Sequence, residues 1–285
     1  MMFKGLILGL VLINLTTPVY AETQGLEESD QQINDFSLAG YAEKGKKSWD
    51  LAGKSADIFT EVIKLKDVVG NLYGKDEDIK LTAEKGDFNK VSGLVHLEEN
   101  VIITTSSGSK LTTDSLDWDR QNQLVSTNDT VNIERQNMVT VARGAKGEPN
   151  LKKVALEKDV RVDINPEEAS GVKEKTVITC DGPLEIDYGD NVATFNNNVK
   201  VERPDSVIYS DTMEVYFKSD KAAQAMANKI ERIKARGNVK VLRGENTSYS
   251  EEASYSASDK KLILSGNPRL VIYSNEELSS APSGN

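Results

Sequence analysis

The sequence of 285 residues contains a single cysteine, Cys180, and a single histidine, His96. A disulfide within the chain is therefore impossible, and a structural zinc site built from several cysteine and histidine ligands is excluded. Serine–histidine or cysteine–histidine catalysis would depend on His96 alone. Glycine and proline are modest as well, at 20 and 7 residues, which excludes a collagenous or low-complexity chain.

Positive charge is also in deficit, since 35 Lys and Arg face 45 Asp and Glu, for a net charge of −10. A duplex nucleic-acid binder needs a basic face to neutralise phosphates, so no nucleic-acid partner is expected. The glycines lack the spacing of a phosphate-binding loop, and no serine stands in a nucleophile-elbow context. We therefore predict no enzyme activity, no catalytic residue, no metal and no cofactor.

Long hydrophobic runs are confined to the N-terminus. Lys4 is followed by 11 residues from Gly5 to Leu15 that carry no charge, and then by Pro18 and the small residue Ala21. This order is typical of a cleaved secretory signal, and the run is short of the ~20 residues that a bilayer requires. The sequence thus predicts a signal peptide over 1–21 and export to the periplasm, with an uncleaved inner-membrane anchor as the alternative. In that oxidising compartment Cys180 is expected to be buried in a strand.

From about Phe36 onward, apolar and polar residues alternate in short runs such as 160–164 and 199–202. A period of two predicts β-strands with one dry and one wet face, and many such strands predict an all-β sandwich, barrel or solenoid. An alanine-rich stretch at 221–228 is interpreted as a helical loop decoration. Turn residues between the strands are predicted at Glu99-Asn100, Asn197-Asn198, Gly237-Asn238 and Gly266-Asn267-Pro268.

A repeat of 30 residues runs through the first half of the sequence. Its matching positions are Leu51, Leu81 and Leu111; Asp57, Asp87 and Asp117; and Ile58, Phe88 and Trp118. Between these copies lies a second strand unit that ends in Asn or Asp followed by Val. Two strand signals in each period predict stacked hairpins or coils that share one continuous apolar interior.

The inward side chains have two interpretations, an ordinary core or an apolar trough that holds acyl chains. Removing apolar surface from water is worth about 25 cal/mol per Å², so shielding several chains would bind a lipid strongly. The recurrent aspartates could instead be the paired carboxylates of a glycosidase. Because each occurs once per repeat, in a turn or on a wet face, solubility and turn chemistry explain them better. His96 alternates outward and is expected at the surface.

Several segments resemble the LptC and LptA/OstA-type components of lipopolysaccharide export. The LptC-like segments are Phe36-Ser-Leu-Ala-Gly-Tyr41, Gly45-Lys-Lys-Ser-Trp49, Gly93-Leu-Val-His-Leu-Glu-Glu-Asn-Val101 and Lys110-Leu-Thr-Thr-Asp-Ser-Leu-Asp-Trp118. The LptA-like segments are Phe195-Asn-Asn-Asn-Val-Lys-Val201, Ser210-Asp-Thr-Met-Glu-Val-Tyr216 and Ile233-Lys-Ala-Arg-Gly-Asn-Val239. Their order covers most of 36–275. Fusion of the two halves in one chain departs from the usual pattern of the family.

The resemblance implies a twisted antiparallel β-jellyroll that passes lipopolysaccharide from an inner-membrane ABC transporter toward the outer membrane. Its expected ligand is lipopolysaccharide, held by the acyl chains of lipid A. An open jellyroll has unpaired edge strands, which recruit other strands. The expected partners are therefore the inner-membrane Lpt transporter and other Lpt jellyroll domains, with head-to-tail self-association as a further possibility.

The predicted organisation is a signal peptide at 1–21, a polar tether at 22–36, an LptC-like jellyroll at 37–164, a linker at 165–175, an LptA-like jellyroll at 176–275 and a disordered tail at 276–285. One continuous jellyroll with the linker as a surface loop is the alternative.

The inward positions predicted to contact acyl chains are apolar and belong to several strands. They are Leu97, Val101, Ile103, Leu116, Trp118, Val160, Val162, Ile164, Val199, Val201, Met213, Val215, Phe217, Val239 and Val241. The rival functions are an exported β-solenoid that acts on or binds polysaccharide and a structural surface repeat. An interior that is open and apolar would favour the trough, and a filled interior would favour the rivals.

Overall fold

The computed structural model describes residues 29–42, 45–74, 77–148, 153–166, 174–217, 230–259 and 261–273. This part of the chain forms 17 β-strands and contains no α-helix, which confirms the prediction of an all-β protein. It also contains no helix with the length and hydrophobicity of a membrane span. The predicted signal peptide, the alanine-rich stretch at 221–228 and the tail at 276–285 lie outside the described residues.

Most strands are close to 12 residues long. The bounds are β1 Gln31–Tyr41, β2 Lys47–Ile58, β3 Val62–Tyr73, β4 Asp78–Asn89, β5 Leu94–Thr105, β6 Lys110–Asp119, β7 Leu124–Arg135, β8 Met138–Gly147, β9 Lys153–Ile164, β10 Thr176–Cys180, β11 Leu184–Asp187, β12 Val192–Arg203, β13 Ser206–Phe217, β14 Ile230–Arg243, β15 Asn246–Ser256, β16 Lys261–Ser265 and β17 Arg269–Val271.

All the pairings are antiparallel, and they join the strands into one sheet whose order follows the chain, with two positions that are each occupied by a pair of short strands. β9 pairs with both β10 and β11, and both of these pair with β12, so the two short strands together occupy one position in the sheet. β16 and β17 share the position beside β15 in the same way. The sheet therefore continues across the predicted linker at 165–175, of which 167–173 lie outside the described residues. The two-jellyroll division and its single-jellyroll alternative remain predictions.

The strands are bent at their middles, and this corrects the prediction about turns. Glu99 and Asn100 lie inside β5, Asn197 and Asn198 lie inside β12, and Asn238 lies inside β14, all with φ between 48° and 64°. The pairing register shifts at the same places. Residues with positive φ form bulges as readily as turns, and a bulge bends its strand. Each predicted pair of short strands is therefore one long strand with a corner.

The remaining predicted turn, at Gly266-Asn267-Pro268, follows the same rule. It separates β16 from β17, but both segments pair with β15, so it too is a corner in one interrupted strand. We call this line of bulges across the sheet the corner, and the two half-sheets beside it the arms. The arm that contains Trp118 is the Trp118 arm, and the arm that contains Leu111 is the Leu111 arm.

The 30-residue repeat corresponds to one hairpin of two strands, as predicted. Leu51, Leu81 and Leu111 lie at equivalent inward positions on β2, β4 and β6, on the Leu111 arm. The strand pattern begins earlier than expected, however. Residues 31–36, predicted to belong to a polar tether, form the first half of β1 and pair with β2. Their alternation is weak because β1 is an edge strand with little surface to bury.

Candidate functional site

The inward side chains of the sheet form rows that run across the strands. One row lies beside the corner, and a further row lies at the outer margin of each arm. The row next to the corner on the Leu111 arm alternates valine with a small residue. It consists of Val68, Ala83, Val101, Thr113, Val131, Ala142, Val160, Cys180, Val199, Ser210, Val239 and Ser250. All twelve are buried, with Val101 and Val199 at 0% exposure. The bottom of the fold is therefore closed from β3 to β15.

The next inward row on the Leu111 arm lies at the margin and is called the Leu111 rim. In chain order it consists of Leu51, Gly70, Leu81, Ile103, Leu111, Ile133, Thr140, Val162, Ile178, Val201, Ile208, Val241, Ser248 and Leu270. Leu81, Ile103, Leu111 and Ile133 are half-buried, whereas the side chains from Thr140 to Val201 are buried. Beyond Val201 the row becomes half-buried again, and Leu270 on β17 is 62% exposed.

The margin of the other arm, the Trp118 rim, behaves similarly. Ile63, Phe88, Val95, Trp118 and Val125 are cross-strand neighbours on β3 to β7, and all five are half-buried. Further along the same row, on β12 and β13, the side chains are buried. The inner face is thus apolar and half-exposed at both rims over β4 to β7. Over the central strands the Leu111 rim is buried from Thr140 on β8 to Val201 on β12. On the Trp118 rim Ala193 and Val215 are buried, whereas Gly147, Val154 and Ile186 stay half-buried.

The hydrophobic clusters reflect this change. One cluster of 19 buried residues extends from Val131 on β7 to Ala253 on β15. The first part of the chain has two small clusters instead, one around Leu65 and Val68 and one around Leu97 and Val101, with four buried residues each. Half-buried leucine, isoleucine and valine side chains pack against these small clusters from the rims. The first part of the sheet therefore has a narrow core below an apolar opening.

All fifteen residues predicted to contact acyl chains lie on the inner face, but they differ in depth. Twelve are buried, and only Ile103, Trp118 and Val241 are half-buried. The predicted set does not include the half-buried inward residues Leu81, Phe88, Val95 and Leu111. The repeat could have found three of these, because Leu81, Leu111 and Phe88 stand at its matching apolar positions.

The charged groups singled out in the sequence lie on the outer face, as expected. His96 Nδ1 is 2.7 Å from Asp117 Oδ1, and its ring is half-exposed. Asp87 and Asp117 flank it on the neighbouring strands. Cys180 is buried as predicted, and this burial raises the pKa of its thiol. In the part of the chain that the structure describes, no group of three or more His, Cys, Asp or Glu side chains is placed to hold a metal ion.

A surface depression of about 500 Å³ lies on the outer side of the corner. Its lining residues are Glu84, Glu98, Glu99, Asn100, Asp114 and Ser115. The Asn100 amide donates to Glu84 and the Lys85 amine binds Glu99, so these carboxylates are partly engaged in links between neighbouring corners. No aromatic side chain lines the depression.

The two edges of the sheet expose apolar side chains. Within the described ranges β1 pairs with β2 alone, and Ile33 and Leu38 on β1 are 45% and 55% exposed. At the other end β16 and β17 pair with β15 alone, and Leu262, Ile263 and Leu270 are exposed. Unpaired strands with exposed apolar residues are able to accept another strand.

Two known protein families match this chain, one over its first part and one over its second part. The family described as lipopolysaccharide-assembly, LptC-related, matches residues 6–165, which is more than half of the chain. The chain belongs to this LptC-related family. Residues 178–282 match a second family, the LptA/(LptD N-terminal domain) LPS transport proteins. Both predicted resemblances are confirmed, and no curated protein matches the chain.

The two families indicate a component of the periplasmic bridge that transports lipopolysaccharide. They are transport and bridge proteins, and they interact with lipopolysaccharide and with other Lpt proteins. The LptC-related match covers β1 to β9, which include the open strands, and the second match covers β11 to β17. The all-β sheet is the fold that the resemblance implied.

Proposed function

We propose that this protein holds lipopolysaccharide by its acyl chains in the apolar trough between the two arms, and that the chains contact the rims over β4 to β7. The half-buried side chains of both rims carry this proposal. Leu81, Ile103 and Leu111 on one rim and Val95 and Trp118 on the other are apolar, inward and only partly covered by protein. An acyl chain placed between them would remove their remaining apolar surface from water, which favours binding.

The predicted contacts over the central strands require a further step. Val162, Val199 and Val201 are buried by protein, with exposed fractions of 4%, 0% and 7%, and present little surface to a ligand in this conformation. We propose that these positions contact acyl chains only when the central arms separate. Energy for such opening would come from the transporter that loads the bridge, because the sequence contains no nucleotide-binding loop of its own.

The trough is tested by photo-crosslinking in the native envelope. A photoreactive amino acid replaces Leu111, which is inward, and in a second protein Thr112, which follows it in β6 and points outward. We expect a lipopolysaccharide adduct at Leu111 and none at Thr112, with a weaker adduct at the buried Val199. Equal labelling at Leu111 and Thr112, or labelling at Thr112 alone, would contradict the proposal.

We further propose that β1 and β16/β17 are the docking edges, through which the inner-membrane transporter, other Lpt jellyrolls and additional copies of this chain extend the sheet. Their exposed apolar residues and their single pairing partners support this. Contacts between unlike edges do not close, so they form rods. Static light scattering should therefore show mass increasing with concentration. A monomer at every concentration, alone and with partner domains, would count against edge pairing.

Localisation follows from the N-terminal segment. We propose that residues 1–21 direct export and that the mature chain acts in the periplasm, tethered to the inner membrane only if this segment is retained. Mass spectrometry of the intact protein from the envelope distinguishes the two forms. Cleavage after Ala21 gives a mature chain that begins at Glu22, and retention of the segment gives the full mass.

A further inference from the structure

A positively charged side chain lies over the aromatic residues of the Trp118 rim. Arg120 is in the loop between β6 and β7, and its guanidinium carbon is 5.6 Å from the ring centre of Phe88 and 5.9 Å from that of Trp118. Both rings belong to the inner face, because Phe88 and Trp118 are the cross-strand neighbours of the inward Val95. The charge of Arg120 therefore lies at the mouth of the trough, on its inner side.

The hydrogen-bonding capacity of Arg120 is largely unused. A guanidinium attracted to aromatic rings by its charge keeps its planar N–H donors, and these can bind an oxyanion. The adjacent carboxylate, Asp119, is occupied by the loop, since it accepts hydrogen bonds from the backbone N–H groups of Gln121 and Asn122 and from the Asn122 amide. These bonds lower the pKa of Asp119. Across the described ranges Arg120 forms no ion pair with a carboxylate.

Trp118 also has an unused donor. Its indole Nε1 is buried and has no hydrogen-bond partner in the described part of the chain. Leaving a buried N–H without an acceptor is unfavourable, so an oxygen supplied by a ligand at this place would be stabilised. The indole N–H and the Arg120 guanidinium lie on the same rim, beside the half-buried Val95 and Val125 of the same row. Together they suit an amphiphile with an anionic head.

We propose that Arg120 and Trp118 form a head-group site at the mouth of the trough. The guanidinium binds a phosphate of an acylated phosphosugar, and the indole N–H, which is buried in the ligand-free protein, donates to an oxygen of the same head once the Trp118 side chain turns toward the trough. Phe88 holds the guanidinium in place. This inference rests on the proposed function, because it assumes that acyl chains lie below. It goes beyond the trough by assigning the orientation of the ligand, with its phosphorylated end at the hairpin tip of β6 and β7.

The test compares lipid A with the same lipid after removal of its phosphates, each labelled with a fluorophore and titrated with the purified mature chain at two salt concentrations. Arg120→Gln removes the charge and Arg120→Lys keeps it without the planar donors. Arg143→Gln is the matched control, since Arg143 is an exposed arginine on the outer side of the corner in β8. Trp118→Phe keeps an aromatic ring and removes the indole N–H.

We expect the unaltered protein to bind the phosphorylated lipid more tightly, and Arg120→Gln to weaken that binding about tenfold, as for the loss of one charged hydrogen bond. Its affinity for the dephosphorylated lipid should not change, and its dependence on salt should decrease. The affinity of Arg120→Lys for the phosphorylated lipid should lie between those of the unaltered protein and Arg120→Gln. Trp118→Phe should weaken binding about threefold, because it loses one hydrogen bond. Arg143→Gln should bind like the unaltered protein.

The possible failures are distinguishable. If the unaltered protein binds both lipids equally, or if Arg120→Gln weakens both equally, the head-group site is wrong and the trough stands. If neither lipid binds to the unaltered protein, the trough and the head-group site are both wrong. Equal weakening by Arg143→Gln would show a general effect of charge and would also overturn the site.

Discussion

The central strands β8 to β13 and the earlier strands β4 to β7 have the same alternation and the same corner, yet they bury their inner faces differently. In the centre the residues near the corner and most of those on the Leu111 rim are buried in one cluster. In the earlier strands only the residues beside the corner are buried, and both rims remain half-open. The same strand pattern thus produces a section with a large buried core and a section with a small core and half-exposed rims.

The comparison predicts that the same leucine-to-alanine substitution lowers the free energy of unfolding by different amounts in the two sections. Leu156 on β9 is 1% exposed, whereas Leu111 on the open rim is half-buried. We expect Leu156→Ala to lower the free energy of unfolding by about 3–5 kcal/mol, because it leaves a cavity, and Leu111→Ala to lower it by about 1 kcal/mol. Urea denaturation measures both. Similar losses in the two variants would show that the sections are packed alike.

Glycine replacements sharpen the same contrast at the level of the backbone. Gly182, between β10 and β11, has φ +101°, and a Cβ there would lie 2.2 Å from the backbone oxygen of Glu157. Gly108, in the hairpin between β5 and β6, has φ +88° and no atom within 4 Å of such a Cβ. Gly182→Ala should cost about 3 kcal/mol, from strain and backbone contact, and Gly108→Ala about 1 kcal/mol.

Thermal unfolding of the two alanine variants compares these costs directly. A loss at position 108 as large as that at position 182 would indicate that the hairpin between β5 and β6 is packed against other residues. The central corner would then not be the more constrained part of the backbone.

The smallest expected effect concerns a polar link between β2 and β3 on the outer face. Asp50 accepts hydrogen bonds from the Asn71 amide at 2.6 Å and the Tyr73 hydroxyl at 2.8 Å and pairs with Lys47, and these contacts, that of Asn71 first, lower its pKa to about 2. A lowered carboxyl pKa stabilises the fold above its unfolded value, near 3.9, and the stabilisation is lost as the pH falls toward 2.

We therefore expect hydrogen exchange in β2 and β3 to increase between pH 4 and pH 2, after correction for the intrinsic rate, while β9 and β12 stay protected. In Asn71→Ala the pKa of Asp50, measured by carbon NMR of the carboxyl group, should rise toward its ordinary value. An unchanged pKa would mean that Lys47 and Tyr73 hold the carboxylate without Asn71.

The sequence predicted the direction of side chains well and their depth poorly. Alternation assigns Ile103 and Val199 to the same inner face, and both point inward. It cannot distinguish half-buried Ile103 from fully buried Val199, because depth depends on how far the two arms close. For this reason twelve of the fifteen predicted contact residues are buried by protein, although all fifteen point inward.

The corners were mistaken for turns for an equally physical reason. Asn197 and Asn198 have φ values of 63° and 53°, which a hairpin turn would also require. Only the pairing of both halves of β12 with β13 shows that the chain continues in the same direction. The position of Arg120 beside Phe88 could not be predicted either, because Phe88 is 32 positions earlier in the sequence and becomes a neighbour only through two strand pairings, β4 with β5 and β5 with β6.

The strands pair without interruption from β1 to β17, so the number of strands determines the length of the sheet. β10 and β11 share one position in the sheet, and β16 and β17 share another, so the 17 strands occupy 15 positions. At about 4.8 Å per position the span is about 67 Å. Duplicating or deleting one 30-residue hairpin would lengthen or shorten it by about 10 Å without altering either tip. The number of hairpin repeats therefore determines the distance that a sheet of this kind can span.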